Sequence, residues 1–187
     1  MPIGQPGRSP RERAAIAPMF GAALVAAAIL HPADARAHAV LDTATALAGT
    51  YHKLVVRIGH GCIGSPTVEL TVELPDGVAG GKPQPKPGWQ VAVAREALAE
   101  PFRDGHGNLV TDRVARVTWT GGPLEDWQFD EFAIQVRLPN RPGETLRIPV
   151  VQRCAAGEHR WTEVPEPGQH PGALRQPAPS LLLLPRP

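Results

Sequence analysis

Residues 66–74 read Pro-Thr-Val-Glu-Leu-Thr-Val-Glu-Leu, with apolar and polar side chains alternating after the proline. A period of two puts Val68, Leu70, Val72 and Leu74 on one face and Thr67, Glu69, Thr71 and Glu73 on the other. An extended strand can bury such a face; a helix cannot gather it on one side. The pattern recurs. Tyr51 to Ile58 sets Leu54, Val56 and Ile58 against Lys53 and Arg57. Asp130 to Leu138 sets Phe132, Ile134, Val136 and Leu138 against Glu131, Gln135 and Arg137. Arg113 to Thr120, Thr145 to Arg153 and Trp89 to Ala94 are further strands by the same reading.

Turn signals separate these runs: Pro75-Asp76-Gly77, Pro87-Gly88, Asp104-Gly105, Gly121-Gly122-Pro123 and Pro142-Gly143. They use much of the chain's 22 Pro and 19 Gly. Only Arg95 to Ala99 admits a helical turn. Seven or eight short strands with regular turns predict an all-β chain folded as an antiparallel β-sandwich. From Pro165 the sequence is Pro-rich and without period, which predicts an irregular C-terminal tail over 171–187, with Leu181 to Leu184 either packed on the sandwich or a poorly ordered end.

The first 37 residues read differently. Arg8, Arg11 and Arg13 precede an Ala-rich apolar run from Ala14 to Leu30, and Ala35-Arg36-Ala37 offers small residues at the positions a signal peptidase reads. A basic start, an apolar middle and an A-x-A end predict a secretory signal peptide over 1–37. The competing reading is a retained anchor, but the run is at the lower limit of spanning length. Cleavage after Ala37 places the mature domain, 38–170 with its tail, in the periplasm or outside the cell, with no stable membrane anchor. A cut after Ala35 would leave Arg36 first. Removing Arg8, Arg11, Arg13, Arg36, Glu12 and Asp34 from 19 basic and 18 acidic residues leaves 15 and 16, a formal charge of −1. That balance excludes a nucleic-acid binder that works through a strong basic field.

Two cysteines exclude a four-Cys zinc site and a disulfide-dense scaffold. In an oxidising compartment Cys62 and Cys154 are expected to pair; the alternative is two free buried thiols. Asp130 and Glu131 are adjacent and face opposite sides of a strand, which argues against a paired-carboxylate catalytic site. We find no Gly-rich phosphate loop and no local Ser-His-Asp signature, so the chain reads as a non-enzyme.

Cleavage after Ala37 makes His38 the first residue. An N-terminal His offers two nitrogens, its α-amine and its imidazole, and a second imidazole would complete a three-nitrogen brace suited to Cu(II). His52, which follows Tyr51 at the start of a strand, is the expected partner. A hairpin around Leu47-Ala48-Gly49-Thr50 would bring His38 and His52 to neighbouring strand ends. Against this, a His at a signal junction is commonly incidental. His60 lies between glycines before Cys62, where a structural loop role competes with a ligand role. His106 reads as an exposed hairpin tip, and His159 and His170 have no partner pattern.

Ordered motifs run along the mature chain: His38-Ala39-Val40, Gly59-His60-Gly61-Cys62, Gly64-Ser65-Pro66-Thr67, Pro85-Lys86-Pro87-Gly88-Trp89, Val117 to Gly122, Phe129-Asp130-Glu131-Phe132, Pro149 to Cys154 and Arg160-Trp161-Thr162. With these, residues 38 to about 171 resemble the YcnI-like copper-binding domain family. The resemblance implies an exported β-sandwich, cupredoxin-like or immunoglobulin-like in outline, that binds Cu(II) through its N-terminal His. It implies a carboxylate second ligand in other members where this chain has His52. It also implies a Trp close to the metal, and Trp161 is the matching position, although a core or lid aromatic explains Trp161 equally well. Trp89 and Trp119 read as core.

Three readings stay open. One is a periplasmic copper chaperone or buffer, with a copper importer or another periplasmic copper protein as partner. The second is an oxidative copper enzyme built on a two-histidine brace. The third is a metal-free exported interaction module.

Overall fold

The alternating runs pair edge to edge, and almost all of them pair antiparallel. In the computed structural model the residues described are Met1, 38–104 and 106–187. The chain divides into two compact units, Met1–Ala35 and Arg36–Pro187, and the fold described is that of the second. The expected signal peptide lies outside the described residues.

The strands in chain order are β1 (Val40–Leu41), β2 (Thr45–Leu47), β3 (Tyr51–Ile58), β4 (Thr67–Glu73), β5 (Ala79–Pro83) and β6 (Trp89–Arg103). They continue with β7 (Leu109–Leu124), β8 (Asp130–Arg137), β9 (Thr145–Arg147), β10 (Val150–Cys154), β11 (Glu158–Trp161) and β12 (Ser180–Leu184). One sheet has the order β1-β3-β8-β5, a second β11-β10-β4-β7-β6, and a small third β2-β12-β9. The inward residues form one core: Leu54, Val56 and Ile58 of β3, Leu70 and Val72 of β4, Val117 and Trp119 of β7, and Phe132, Ile134 and Val136 of β8. Trp119 is fully buried, and its ring meets Phe132 edge-on at 5.4 Å. Trp89 packs on the other side of Phe132 at 5.1 Å, and the Lys86 ammonium sits over the same ring at 4.7 Å. Burying these faces removes apolar surface from water, the main drive for the fold.

Four expectations are corrected. Arg95 to Ala99 is not a helical turn; it belongs to β6, where pairing with β7 outweighs a weak local preference. Thr145 to Arg153 is two strands in different sheets, β9 and β10, separated at Ile148-Pro149. The alternation of 66–74 is interrupted by a register shift between Thr67 and Glu69, which turns Thr67 into the interior in place of Val68. Residues 171–187 are not an irregular tail. β12 pairs with β2 and β9, and Leu181 and Leu183 are completely buried in the core. Four consecutive leucines, Leu181 to Leu184, carry no polar alternation to separate strand from tail.

Candidate metal centre

The end of β3, the loop after it and the β10–β11 hairpin meet at one end of the second unit. β1 pairs with β3 in the register Val40↔Arg57 and Leu41↔Val56, and the amide of Asp42 extends the pairing to the Val55 carbonyl at 3.2 Å. Ala39 is buried. This fixes the backbone that follows His38 and brings the His38 ring to 5.2 Å from Trp161, with the planes tilted by 46°.

β10 and β11 pair as Val150↔Trp161 and Gln152↔His159. His159 and Trp161, two residues apart, therefore share the inward face of β11. Their rings lie 5.1 Å apart. His60 comes from the loop after β3 and stands edge-on to His159 at 6.1 Å. The structure thus brings His60, His159, Trp161 and His38 into one contiguous run of rings.

Gln152 holds this run from below. It is buried among apolar neighbours, and its amide donates to the His60 carbonyl at 2.7 Å and to Thr67 Oγ1 at 2.8 Å. Its Oε1 accepts from the Trp161 indole at 3.5 Å. The Thr67 partner is available because the bulge in β4 turned it inward. The Cys62–Cys154 disulfide, with Cα atoms 5.9 Å apart, ties the same loop to the end of β10. Cys62 and Ser65 close a two-residue turn through reciprocal backbone bonds of 2.8 and 3.1 Å. Ile63 takes φ +51° at the tip of that turn, a conformation unusual for a β-branched residue. Gly61 is required: a Cβ there would overlap the Ser65 carbonyl.

The histidines differ electrostatically. Burial pushes the His159 pKa below its ordinary value, and the neighbouring His60 lowers it further. Its Nε2 is buried and has no hydrogen-bond partner. The His60 Nδ1 is in contact with the Gly61 carbonyl oxygen, which can only accept, so the tautomer with the proton on Nδ1 satisfies this contact. Neutral imidazoles with a free lone pair are good ligands for copper and zinc. Among the described residues, no group of three or more His, Cys, Asp or Glu is placed to hold a metal ion.

The expected pairing of His38 with His52 is corrected. β2 leaves for another sheet, and β1 runs alongside the far end of β3. His52 pairs with Val136 near the opposite end of β3. It lies five positions from Arg57, and His38 lies two beyond Val40 the other way. The two are therefore about seven strand positions apart, roughly 23 Å at ~3.3 Å per residue. His52 Nε2 is buried without a partner, and burial depresses the ring's pKa against an opposing pull from Asp42. The sequence reading gave His159 no role. The one available signal was its spacing of two from Trp161 in a short strand.

Trp161 is 3% exposed, so the residue expected beside a metal is also a core residue. Trp119 and Trp89 pack as expected, and His106 stands exposed between β6 and β7, its amide bonded to Asp104 Oδ1 at 2.8 Å.

The two facing sheets closed by a disulfide define an immunoglobulin-like β-sandwich with a histidine–tryptophan cluster at one end. Residues 38–183 match the family described as "Domain of unknown function (DUF1775)", the counterpart of the YcnI-like family, and the chain belongs to it. The matched span reaches into β12, consistent with a domain that continues past residue 170. A solved structure titled "Crystal structure of an uncharacterized protein from Nocardia farcinica reveals an immunoglobulin-like fold" is similar, with 25% identity and TM-score 0.60. It covers 79% of this chain and 98% of that one. No curated protein matches the chain.

Proposed function

We propose that this protein is an exported Cu(II) carrier, a chaperone or buffer, that takes the metal on the α-amine and imidazole of His38 after cleavage between Ala37 and His38. The observation that carries this reading is the position of His38: the residue that would become N-terminal is held by β1 against Trp161 rather than left on a frayed end. The family span begins at the same residue. The Cys62–Cys154 bridge fits an oxidising compartment. An amine and an imidazole from one residue chelate Cu(II) as a tetragonal nitrogen set requires. Trp161 would close one side of the ion against solvent. Handover would go to a copper importer or another periplasmic copper protein. The distance between His38 and His52 favours a carrier over an oxygen-activating enzyme, whose two-histidine brace would need both rings at one ion.

Cu(II) titration followed by EPR tests this on two proteins, one beginning at His38 and one with a single extra residue before it. Tight binding by the first alone is expected, because the extra peptide bond removes the amine. Equal tight binding by both would overturn the reading. His52→Ala is expected to leave the spectrum unchanged.

A further inference from the structure

We infer that His60 and His159 form a second metal station, a two-imidazole site for a d10 cation of low coordination number, Cu(I) first. It uses neither the His38 ring nor its amine, so it stands or falls apart from the Cu(II) reading above.

The two rings face one another edge-on with centres 6.1 Å apart. Two imidazole nitrogens that share one ion, each about 2.0–2.1 Å from it, put their ring centres about 5–6.5 Å apart, the upper end corresponding to a nearly linear N–metal–N angle. The observed spacing lies near that end. The donor atoms are also prepared. In the tautomer that donates Nδ1–H to the Gly61 carbonyl, the His60 Nε2 keeps the lone pair. Ligating histidines commonly use this arrangement, in which a backbone carbonyl fixes tautomer and ring orientation. His159 Nε2 is a buried polar nitrogen with no partner, and such a group costs free energy unless something satisfies it. A cation between the rings would do so.

The supports are rigid. Gln152 bonds the His60 carbonyl, and strand pairing sets His159 opposite it in the β10–β11 register. The disulfide anchors the His60 loop two residues further on. Two imidazoles at this spacing match a two-coordinate ion. Zn(II) asks for four tetrahedral ligands and Cu(II) for a tetragonal set. Trp161 stands between this pair and His38, in contact with rings on both sides. The geometry therefore places a Cu(I) station beside the Cu(II) chelate, with one indole separating them.

The test uses the full-length chain carrying His38→Ala, in which residue 38 contributes neither ring nor free amine. Cu(I), kept reduced, is titrated in competition with a chromophoric Cu(I) chelator, and Zn(II) is titrated separately. One equivalent of Cu(I) is expected to bind. His60→Ala or His159→Ala, each added alone, should weaken it by about 10–100-fold or abolish it, the range seen when a metal's ligand environment is disrupted. His159→Gln gives a second variant that keeps a polar side chain in the pocket, and thermal melts confirm that each variant folds. The inference is overturned if the His38→Ala chain binds no Cu(I), if either histidine can be removed without effect, or if Zn(II) binds as tightly as Cu(I).

Discussion

The His38 ring lies 5.2 Å from the indole of Trp161, tilted by 46°, although 122 positions separate them in the chain. Strand pairing makes the contact: β1 against β3 at one sheet edge, β11 against β10 at the edge of the other. A metal at His38 would therefore report on one tryptophan of the four.

Cu(II) bound at His38 should quench Trp161 fluorescence selectively. Trp89 and Trp119 pack around Phe132, and Trp127 is exposed. Trp161→Phe should remove most of the Cu(II)-dependent quenching, while Trp127→Phe should leave it. Equal loss in both variants would place the metal elsewhere.

Gln152 partners three groups at once: the part-buried His60 carbonyl and the buried Thr67 hydroxyl and Trp161 indole. Gln152→Leu keeps the volume and removes this partner from all three, leaving Thr67 only its contact with Cys154 Sγ. Unpaired buried groups cost about 1–3 kcal/mol each, and partial relaxation should leave a net loss of about 2–4 kcal/mol in urea unfolding. A loss below about 0.5 kcal/mol, the range of ordinary surface substitutions, would mean that water replaces the amide.

The disulfide closes a loop of 92 residues in sequence separation. Cys62→Ser with Cys154→Ser should lower stability by about 2–5 kcal/mol, chiefly by freeing the unfolded chain. Denaturant midpoints with and without reductant check this: reductant should affect the native sequence and not the double variant.

Stability should fall as pH drops from about 7.5 to 5, because two partly buried histidines have folded-state pKa values below the ordinary 6.5. For His52 the cause is burial, opposed by Asp42; for His159 it is burial, reinforced by His60. On acidification the unfolded chain takes up these protons first, so the native state loses ground through the window between the folded value and 6.5. The slope should level once the native rings also protonate. His52→Gln should flatten part of the curve, and metal-free urea midpoints across this range measure it. An unchanged slope would assign the effect to other groups.

Much of the sandwich was legible in advance. β3 has the bounds that the alternation of 51–58 implies, and β8 runs to within one residue of its expected end. Cys62 and Cys154 pair as the compartment argument expected. These features are local or binary: a period of two, a turn residue, a count of two thiols. The candidate site was less legible. Thr67 enters the interior through a bulge, which breaks the very alternation that identified β4. His60 reads as loop or ligand and His159 has no partner pattern in sequence, and the two become neighbours only through two different sheets.

By itself the sequence determined that this chain folds as strands, which faces are apolar and where the turns fall, because side-chain period and backbone preference act over a few residues. Only the tertiary structure decided which strand edges meet. That choice depends on register across sheets and on burial of β12, which are long-range terms with no local signature. It separated His38 from His52, and it assembled His38, Trp161, His159 and His60 at one end of the sandwich.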